Sequence, residues 1–442
     1  MHPTVALDLT RLYLAFLIET PRGIERVEYA YARYFLQQWP GDCVAVVPTP
    51  WGLRWFDRRR ALAGLELVDE LWRENGSAED DAVYQSIRSG LSGRNVVAPR
   101  RFSAAQKMSR LAQGNVKFGI ALGRSVARKL PAQSVFLTVG QTGLTMRSVI
   151  SWFPHPPDLA GLSWLTKRPD VTAVFMVHDT IPVELPQYVE TRAQQQQRAL
   201  LASVARCAKG VIVPSAAAGQ SVVRQLESLG GKALPMLAAH LPVPDTFLSP
   251  EKPDQELAEV TYFVACGAWE PRKNYGLLLG IWPQLAARLG SRTPYLVIVG
   301  ANSAMDNAQL QHLQRTEELR RHVIHASGLS TPGLKQVLQS CRGLLMPSFA
   351  EGFGLPIIEA LALGRPVIAS DLAAHREAGG TAATYLDPRN EAAWRDAILA
   401  LSQETPRSAP TAGQFKMTTT ASYFEEVSKF LHSLTDKFQR EA

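Results

Sequence analysis

Cysteine is scarce in this chain of 442 residues, and long apolar runs are missing. The four cysteines, at positions 43, 207, 266 and 341, lie far apart and form no CxxC pair or Cys/His cluster. The sequence therefore predicts neither a disulfide framework nor a structural zinc site. The N-terminal segment has charged residues inside its apolar stretch and no basic region before it, so no signal peptide is expected. No apolar run reaches the roughly 18 residues that a bilayer-spanning helix needs, and the expectation is a cytoplasmic protein.

Acidic residues are also missing from one long stretch, residues 82–157, which contains eleven of the 47 basic residues. The whole chain has 40 acidic residues and a formal net charge of +7, so all of its positive excess lies in this stretch. Within it, apolar and basic residues fall on opposite sides of a helical period, which predicts a basic amphipathic helix interrupted by glycines. The basic residues assigned to this predicted helix are Lys107, Arg110, Lys117, Arg124 and Arg128.

Three interpretations of this basic stretch are open. It is a surface helix whose charges are merely solvated, or a docking face for anionic membrane lipid or a phosphate-bearing lipid substrate. The third interpretation is nucleic-acid binding, but no aromatic-interleaved basic strand or recognised binding motif accompanies the charge. We therefore expect peripheral contact with an anionic membrane surface and no nucleic-acid partner.

The rest of the sequence has the profile of an ordinary folded protein, with 46% hydrophobic and 20% charged residues. Both halves alternate short apolar runs with longer helical patterns, which predicts parallel sheets built from βαβ units. The predicted strands cover residues 4–8, 44–47, 134–138, 171–177 and 210–213, then 262–266, 295–299, 323–326, 343–346 and 366–369. Two doubly wound α/β domains follow from this pattern.

The predicted domain boundaries lie where composition changes. Residues 241–259 are rich in proline and charge without a clear period, which is typical of a linker between domains. A second polar stretch, residues 404–414, precedes a last predicted helix over residues 418–434. We therefore expect an N-terminal domain over 1–245, a C-terminal domain over 246–414, and a C-terminal helix within 415–442.

The segment SFAEGFGLPIIEA, residues 348–360, directly follows the apolar run GLLMP. A glycine-bearing turn and then a proline in the first turn of a helix bring free backbone N–H groups and the positive end of the helix dipole to one point. Such a point suits an anion or a polarised sugar. Glu351 lies at the turn and Glu359 further into the helix, so both carboxylates are expected to face a cleft. Taken singly, each could instead be an ordinary helix-start or exposed helix residue.

The segment CGAWEPRKNYG, residues 266–276, follows the apolar run YFVAC. Arg272 and Lys273 are adjacent at the carboxyl end of a predicted parallel strand, with the next helix beginning behind them. A guanidinium fork beside an ammonium group suits the oxygens of a diphosphate. In isolation, such a pair would more often be a solvated surface patch.

In this order and spacing, the two segments resemble the family 4 glycosyltransferases, which are retaining nucleotide-sugar enzymes of the GT-B fold. The resemblance covers most of the chain and is most specific over residues 262–388. It includes the E-x7-E pair of Glu351 and Glu359, the EGFGLP and EPRKN runs, and the later segment GRPVIASDLAAHREAGGTAATYLDP. It implies two Rossmann-like doubly wound domains facing a central cleft, with a C-terminal helix that crosses back to the N-terminal domain.

The resemblance also implies roles for individual residues. Glu359 would hydrogen-bond the nucleotide ribose, Glu351 and the amides that follow it would hold the donor sugar and phosphates, and the basic pair would bind the diphosphate. The donor-binding residues implied in this way are Gly23, Gly267, Arg272, Lys273, Glu351, Gly352, Phe353, Gly354, Leu355 and Glu359. Many relatives carry another arginine shortly before the basic pair, whereas this chain has Gly267 and Ala268 there, so more of the phosphate binding is expected to rest on Arg272 and Lys273.

The N-terminal half resembles the family more weakly, but at the expected places. DLTR at residues 8–11 and PRGIERV at residues 21–27 are similar to the first strand and its glycine loop, where Gly23 would let the backbone approach the donor phosphate or acceptor. His178 follows a fully apolar predicted strand and would lie over the cleft as an acceptor- or sugar-positioning residue. Ser215 is a weaker candidate. An ordinary turn glycine and a structural histidine are the alternatives.

The combined expectation is a hexosyltransferase whose catalytic residues are His178, Glu351, Arg272 and Lys273. No DxD motif follows a predicted strand, so we expect no metal and no cofactor. The resemblance implies retention of configuration, and the PRGIERVEYAYARYFL segment is similar to that of relatives that transfer mannose, which implies GDP-mannose as donor. The expected acceptor is a glycan or a polyprenyl-diphosphate-linked sugar in bacterial surface polysaccharide synthesis, including O-antigen. The alternatives are a UDP- or dTDP-sugar donor, a nucleotide-sugar epimerase, and a catalytically silent glycan- or lipid-binding protein of the same fold.

Overall fold

The computed structural model describes most of the chain. The described residues are 2–14, 20–49, 52–72, 76–93, 106, 109–110, 112–114, 116, 124–126, 130–140, 159–302, 307–403 and 415–441. They form two separate β-sheets, each with helices packed against it.

The first sheet has eight strands in the order β4-β3-β2-β1-β5-β6-β7-β8. Its strands are β1 Val5–Asp8, β2 Cys43–Thr49, β3 Gly52–Asp57, β4 Arg124–Ser125, β5 Val135–Thr138, β6 Thr172–Met176, β7 Gly210–Val213 and β8 Met236–Ala238. Neighbouring strands from β2 across to β8 pair in parallel, whereas β3 and β4 add an antiparallel edge. Every residue of β1, β5, β6 and β7 is buried, as expected for parallel strands covered on both faces.

The second sheet has six strands in the order β11-β10-β9-β12-β13-β14, and all of its pairings are parallel. Its strands are β9 Tyr262–Cys266, β10 Tyr295–Val299, β11 Val323–Ala326, β12 Gly343–Met346, β13 Val367–Ser370 and β14 Thr384–Leu386. The chain order reverses between β10 and β12 on the two sides of β9. In sheets of this type, ligands bind beyond the carboxyl ends of the strands at such a reversal.

The helices of the described residues cover both sheets. They are α1 Thr10–Leu14, α2 Gly23–Arg33, α3 Arg58–Trp72, α4 Ala82–Leu91, α5 Ile181–Glu184, α6 Thr191–Cys207, α7 Ala216–Ser228, α8 Asp245–Leu248, α9 Gln255–Ala258, α10 Tyr275–Leu289, α11 Asn307–Arg315, α12 Glu317–His322, α13 Thr331–Ser340, α14 Leu355–Ala362, α15 Ala373–Gly379, α16 Glu391–Gln403 and α17 Thr420–Glu441. A π-helical turn, Tyr34–Gln38, continues α2, and 3-10 turns lie at Ala78–Asp80, Leu159–Lys167, Pro186–Tyr188, Pro271–Lys273 and Gly290–Arg292.

The C-terminal helix α17 packs against the first sheet's helices rather than against the second sheet. The ring of Phe424 stacks on that of Tyr34 with centroids 4.2 Å apart, and the hydroxyls of Tyr423 and Tyr31 are 2.8 Å apart. All four side chains are aromatic, and stacking of this kind adds to the energy of burying their surface. The predicted return of the last helix to the N-terminal half is therefore confirmed, as is the predicted class of two doubly wound α/β sheets. The boundaries at residues 245 and 414 stay predictions.

The predicted strands of the second half agree with the structure at four of five positions, residue for residue, and the fifth is shifted by one residue. Two expectations for the first half are wrong. The sheet is not purely parallel, because Thr49 pairs with Gly52 across a connection of two residues. Parallel pairing needs a crossover of a dozen residues or more. A connection of two residues therefore forces an antiparallel hairpin.

The second wrong expectation concerns the basic helix. Arg124 does not continue that helix, since it lies in the short edge strand β4 and pairs with Trp55 of β3. An unpaired strand edge accepts another strand readily, and Gly114, Gly119 and Gly123 weaken a helix over this part of the sequence. Helical conformation is present at residues 106, 109–110, 112–114 and 116, which include Arg110. Lys107, Lys117 and Arg128 lie outside the described residues.

All four cysteines are buried and none forms a disulfide, in agreement with the sequence analysis. Within the described ranges, no helix combines the length and apolarity needed to cross a membrane.

Candidate functional site

The basic pair lies at the carboxyl end of β9, where the sequence predicted it. Arg272 and Lys273 belong to the turn Pro271–Lys273, and Asn274 then takes a left-handed backbone conformation with φ of 55° before α10 begins. The side-chain amide of Asn274 donates to the carbonyl oxygens of Pro347, at 3.1 Å, and Pro388, at 3.0 Å. Asparagine tolerates this conformation better than most residues, and its two bonds fix the turn to the loops after β12 and β14.

Glu351 is the centre of an ionic cluster with both cations. Its Oε1 accepts from Lys273 Nζ at 2.5 Å and from Ser348 Oγ at 2.7 Å, and its Oε2 accepts from Arg272 Nη1 at 2.8 Å. Burial by itself would raise the pKa of Glu351, but the charges of Lys273 and Arg272 outweigh it and hold that pKa well below its usual range. Glu351 is therefore a carboxylate throughout the neutral range.

Arg272 has carboxylates on more than one side. Its Nε donates to Glu270 at 2.7 Å, and the carboxylates of Glu351, Glu270 and Asp179 raise the pKa of its guanidinium although burial opposes this. Asp179 follows β6 in the first half of the chain, so the two halves meet at this cluster. Its Oδ1 accepts from the backbone N–H of Ile181 at 3.1 Å, and burial raises its pKa while Arg272 lowers it. Asp179 directly follows His178 in the sequence, but it was not predicted as a site residue.

Gly267 allows the lysine to fold back over the strand end. Its φ of 138° is a conformation that other residues rarely adopt, and a Cβ at this position would lie 2.6 Å from Lys273 Cε. The carbonyl oxygen of Gly267 also accepts from the hydroxyl of Tyr275 at 3.0 Å. Gly267 thus shapes the place of Lys273 rather than providing an open surface for a ligand.

The N-termini of two helices face each other at the same place. Helix α14 begins at Leu355 after Gly354, whose φ is 126°, and Pro356 lies in its first turn. Helix α2 begins at Gly23, and a Cβ built there would lie 3.7 Å from Leu355 Cδ1. The first N–H groups of any helix lack intrahelical acceptors, and its N-terminus carries partial positive charge. Two such ends, in the same region as Arg272 and Lys273, are features that suit the binding of an anion.

Glu359 is fully buried in α14, so the alternative of an exposed helix residue is wrong. Its Oε1 accepts from Arg26 Nη2 at 2.7 Å, and its Oε2 has no hydrogen-bond partner among the described residues. Arg26 extends from α2, and its guanidinium also lies 5.5 Å from the ring centre of Phe247. A buried carboxylate oxygen without a partner is costly, which favours a ligand hydroxyl as its missing donor. Arg26 lies in the PRGIERV segment, residues 21–27, but no role was predicted for it.

His178 lies at the carboxyl end of β6 and is 6% exposed. Its Nε2 is 2.8 Å from the carbonyl oxygen of Val139, so this nitrogen carries the proton. Burial lowers the pKa of His178 to about 4, and the ring is neutral at pH 7. A neutral ring whose Nε2–H is engaged can position a ligand through its other face, but it is not a ready source of positive charge.

The loop directly before α14, which contains Gly352, packs against His178. A Cβ at Gly352 would collide with the carbonyl oxygen of His178, and the carbonyl oxygen of Gly352 accepts from Ser215 Oγ at 2.7 Å. Ser215 also caps α7 by accepting from the N–H of Ala218 at 3.0 Å. Ser215 therefore joins the two halves of the chain and has no free hydroxyl for a ligand. The loop residue Phe353 is buried, 5% exposed, and its ring lies 5.5 Å from that of His240, so the ring does not present an open surface to a ligand.

Of the predicted membrane-facing residues, Arg110 and Arg124 lie within the described part of the chain. Arg124 is exposed in β4, and its guanidinium is 5.2 Å from the ring centre of Trp55. Arg110 lies in a helical piece, and its Nη1 is buried. These two positions do not form one basic helical face, so the docking surface stays a prediction.

Residues 260–404 match the family described as "Glycosyl transferases group 1". The O-antigen chain mannosyltransferase RfbU of Salmonella typhimurium is 30% identical over 152 residues, which are 34% of this chain and 40% of that protein. The O-antigen chain mannosyltransferase B of Escherichia coli is 32% identical over 159 residues, 36% of this chain and 41% of that protein. Sucrose-phosphate synthase from Thermosynechococcus elongatus has a similar structure, with a TM-score of 0.56 and 15% identity, over 99% of this chain and 98% of that chain.

These findings confirm the predicted resemblance to GT-B glycosyltransferases and to bacterial mannosyltransferases. The second sheet and its helices lie within the segment that matches the group 1 glycosyl transferases, and the described residues have the GT-B fold. The matches support a hexosyltransferase. The chain spans about two fifths of the length of the two mannosyltransferases that it matches.

Proposed function

We propose that this protein is a retaining glycosyltransferase that moves mannose from GDP-mannose to a glycan or polyprenyl-diphosphate-linked acceptor in bacterial surface polysaccharide synthesis. The observation that carries the proposal is the meeting of Arg272, Lys273 and two helix N-termini beside the Glu351 carboxylate. This arrangement matches a ligand with a diphosphate at one end and hydroxyls at the other. The names of the two O-antigen mannosyltransferases support mannose as the sugar.

The chemistry follows from where charge develops. As the bond between the sugar's anomeric carbon and the diphosphate oxygen breaks, negative charge grows on the leaving phosphate. Arg272, Lys273 and the amides at the start of α14 are placed to stabilise that charge, and no acid is needed to protonate the leaving group first. An acceptor hydroxyl then attacks the same face of the oxocarbenium-like sugar, and its proton passes to the departing phosphate oxygen.

Glu351 and Glu359 have different parts in this proposal. Glu359 Oε2 is the buried acceptor that awaits a donor, which fits a ribose hydroxyl. Glu351 orients the two cations, and in this proposal it also accepts from a hydroxyl of the donor sugar. We propose that the two cations take the part that a metal would otherwise have and that the reaction is metal-independent.

A peripheral position at the cytoplasmic face of the membrane completes the proposal. It is supported by the concentration of positive charge in residues 82–157, which an anionic lipid surface would attract. A lipid-linked acceptor would be presented at that surface. Loss of binding to vesicles that contain phosphatidylglycerol after Arg124→Ala, against unchanged binding of an Arg288→Ala control, would test this contact.

The donor is tested by thermal unfolding with GDP, UDP, dTDP and ADP and with their common sugars, in the presence of EDTA. A ligand that binds only the folded state raises Tm by mass action. The proposal expects a shift with GDP and GDP-mannose, followed by transfer of labelled mannose to an acceptor extract. The control is Arg272→Ala, which should lose the shift, beside Arg288→Ala, an exposed arginine on α10, which should keep it.

The alternatives give other results in the same experiment. A shift with UDP or dTDP but not with GDP would favour a retaining transferase with that donor. No shift with any nucleotide would favour a catalytically silent glycan- or lipid-binding protein, and release of sugar without acceptor would favour an epimerase-like reaction. A shift that appears only when Mg²⁺ replaces EDTA would contradict metal independence.

A further inference from the structure

A cavity of about 470 Å³ lies beside the ionic cluster, between the two halves of the chain. Residues from the turn after α5 form one wall, and residues that follow β12, β13 and β14 form the other. We call it the side groove, and its polar and aromatic lining consists of Gln187, Tyr188, Phe349, Asp371, Asp387 and Arg389. Its volume is within the range of roughly 300–1,000 Å³ that is usual for small-ligand sites.

The wall of the side groove is hydrogen-bonded to the turn that carries the proposed donor site. The backbone N–H of Phe349 donates to the carbonyl oxygen of Arg272 at 2.7 Å, and Phe349 is two residues from Glu351. Pro388, which also lines the groove, accepts from the side chain of Asn274 at 3.0 Å. The same turn that presents the cations therefore supports the wall of the groove.

The strand order places the groove on one particular side of the donor site. The cations follow β9 and Glu351 follows β12, while Asp371 and Asp387 follow β13 and β14, the next strands along the sheet. The side groove therefore lies on the β13 and β14 side of Glu351. A chain of sugar units that receives the transferred sugar next to Glu351 would enter the groove if it extended toward these two strands.

The lining is suited to a saccharide rather than to a second anion. The rings of Tyr188 and Phe349 are stacked with centroids 5.5 Å apart and planes 12° from parallel, which gives a rigid apolar wall across the two halves of the chain. Beside it are the exposed side chains of Asp371, Asp387, Gln187 and Arg389, which supply both acceptors and donors for sugar hydroxyls. Two carboxylates on the wall would repel a phosphate, although Arg376 pairs with Asp371.

We propose that the side groove is a subsite for the saccharide part of the acceptor, next to the sugar unit that is glycosylated. This proposal rests on the glycosyltransferase function proposed above. It assigns to Tyr188, Gln187 and Arg389 a role in acceptor length preference, whereas donor binding depends on Arg272 and Lys273.

The test uses the full-length protein saturated with GDP and two probes, methyl α-mannoside and α-linked mannotriose. Binding of each probe is measured by ligand-observed NMR for the wild type, Tyr188→Ala, Tyr188→Phe and the double variant Gln187→Ala/Arg389→Ala. We expect the wild type to bind mannotriose more tightly than methyl α-mannoside. Loss of the ring or of the two polar groups should weaken mannotriose binding about tenfold, since each contact contributes on the order of a hydrogen bond or a ring contact.

Tyr188→Phe and the surface control Arg288→Ala should keep the wild-type affinity, because neither removes the aromatic wall. The Tm shift with GDP should be the same in all of these proteins, and this measurement reports the donor site independently. Equal mannotriose binding by wild type and groove variants, or no mannotriose binding by wild type that still binds GDP, would overturn the side-groove proposal. If GDP did not raise the Tm of the wild type, this result would instead contradict the proposed donor.

Discussion

Arg26 of α2 and Glu359 of α14 form an ion pair across the two halves of the chain, with Nη2 and Oε1 2.7 Å apart. Glu359 has no exposed surface and the side chain of Arg26 is 13% exposed, so the pair is shielded from water. It joins the two helices whose N-termini meet at Gly23 and Leu355. The residue assigned to the nucleotide ribose is thus also a contact between the two halves of the chain.

Removal of only one partner of this pair should be strongly destabilising. Arg26→Ala leaves the Glu359 carboxylate buried without a counter-charge, which costs about 3 kcal/mol or more when a buried pair is broken. The double variant Arg26→Ala/Glu359→Gln removes the uncompensated charge and should regain part of that loss. Urea unfolding of the wild type, Arg26→Ala, Glu359→Gln and the double variant forms a double-mutant cycle, which gives the interaction energy of the pair. Strictly additive effects would mean that the pair does not contribute to stability.

Glu351→Gln should separate binding from transfer. In the wild type, the carboxylate of Glu351 neutralises part of the charge of Arg272 and Lys273, so a neutral amide frees both cations for the diphosphate. We expect the variant to bind GDP as tightly as the wild type or several-fold more tightly, while mannose transfer falls by about two orders of magnitude because the sugar loses a charged acceptor. Calorimetry with GDP and a transfer assay measure the two effects.

Lys273→Ala is the matched variant for that experiment, since it removes a cation instead of the carboxylate. Its GDP affinity should fall about tenfold or more, the size of a lost charge-assisted hydrogen bond. If GDP bound more weakly to Glu351→Gln than to Lys273→Ala, the carboxylate rather than the cations would hold the diphosphate, and the assignment of the site would be wrong.

The pH dependence of stability should reflect His178. Its pKa is lowered by burial to about 4 in the folded protein, against 6.5 in the unfolded chain, so the unfolded chain binds more protons between these values. The contribution of His178 is therefore complete above about pH 6.5 and is lost as the pH falls toward 4, by on the order of 3 kcal/mol in total. His178→Gln, which retains a donor for Val139, should lose less stability than the wild type between pH 7.5 and pH 5. Parallel urea midpoints for the two proteins would contradict this.

Burial of Asp8 has the opposite effect on the pH dependence of stability. The effect of His178 therefore has to be measured as a difference between the wild type and a variant. Its pKa is raised by burial to about 6, although Thr10 and Thr138 donate to the carboxylate. The stability that it contributes is present below pH 4 and is lost as the pH rises through 6. In the wild type, the two effects partly cancel over the same range, so only the difference between wild type and His178→Gln isolates the histidine.

The sequence predicted best those features that depend on short, local patterns. The run of residues 262–266 is apolar throughout and bounded by polar and turn residues, and the structure places β9 at those residues. Strand β3, Gly52–Asp57, was missed because it contains arginine and aspartate and alternates only weakly. It lies next to the two-residue edge strand β4, and residues 53–55 are only partly buried, so its sequence carries less signal than that of a central strand.

The contacts that complete the site could not be predicted from such patterns. Arg26 and Glu359 are 333 residues apart in the chain, and only the packing of the two halves brings them together. The same packing places Asp179 in the field of Arg272 and turns Ser215 toward Gly352. The segments that carry the basic pair and the E-x7-E pair were visible in the sequence, but their ionic bonds to each other were not.

Gly352 gives the sharpest steric prediction for the contact between the two halves of the chain. Its backbone touches His178 so closely that a Cβ would overlap the carbonyl oxygen of that residue, and a carbonyl group cannot rotate away as a flexible side chain could. Gly352→Ala should therefore force the loop before α14 away from β6. We expect transfer activity to fall by at least about tenfold, because a displacement of roughly 1 Å at a catalytic group is enough for such a loss.

Gly280→Ala is the control for that substitution. Gly280 lies inside α10, and a Cβ there would be 3.8 Å from the nearest side-chain atom of Glu391, which is ordinary contact. In a helix interior, alanine is favoured over glycine by about 1 kcal/mol, so this variant should be as active as the wild type and slightly more stable. The measurements are kcat for mannose transfer and Tm for both variants. Equal activity of Gly352→Ala and Gly280→Ala would mean that the close contact between Gly352 and His178 is not needed during turnover, and that the two halves of the chain work further apart than they lie here.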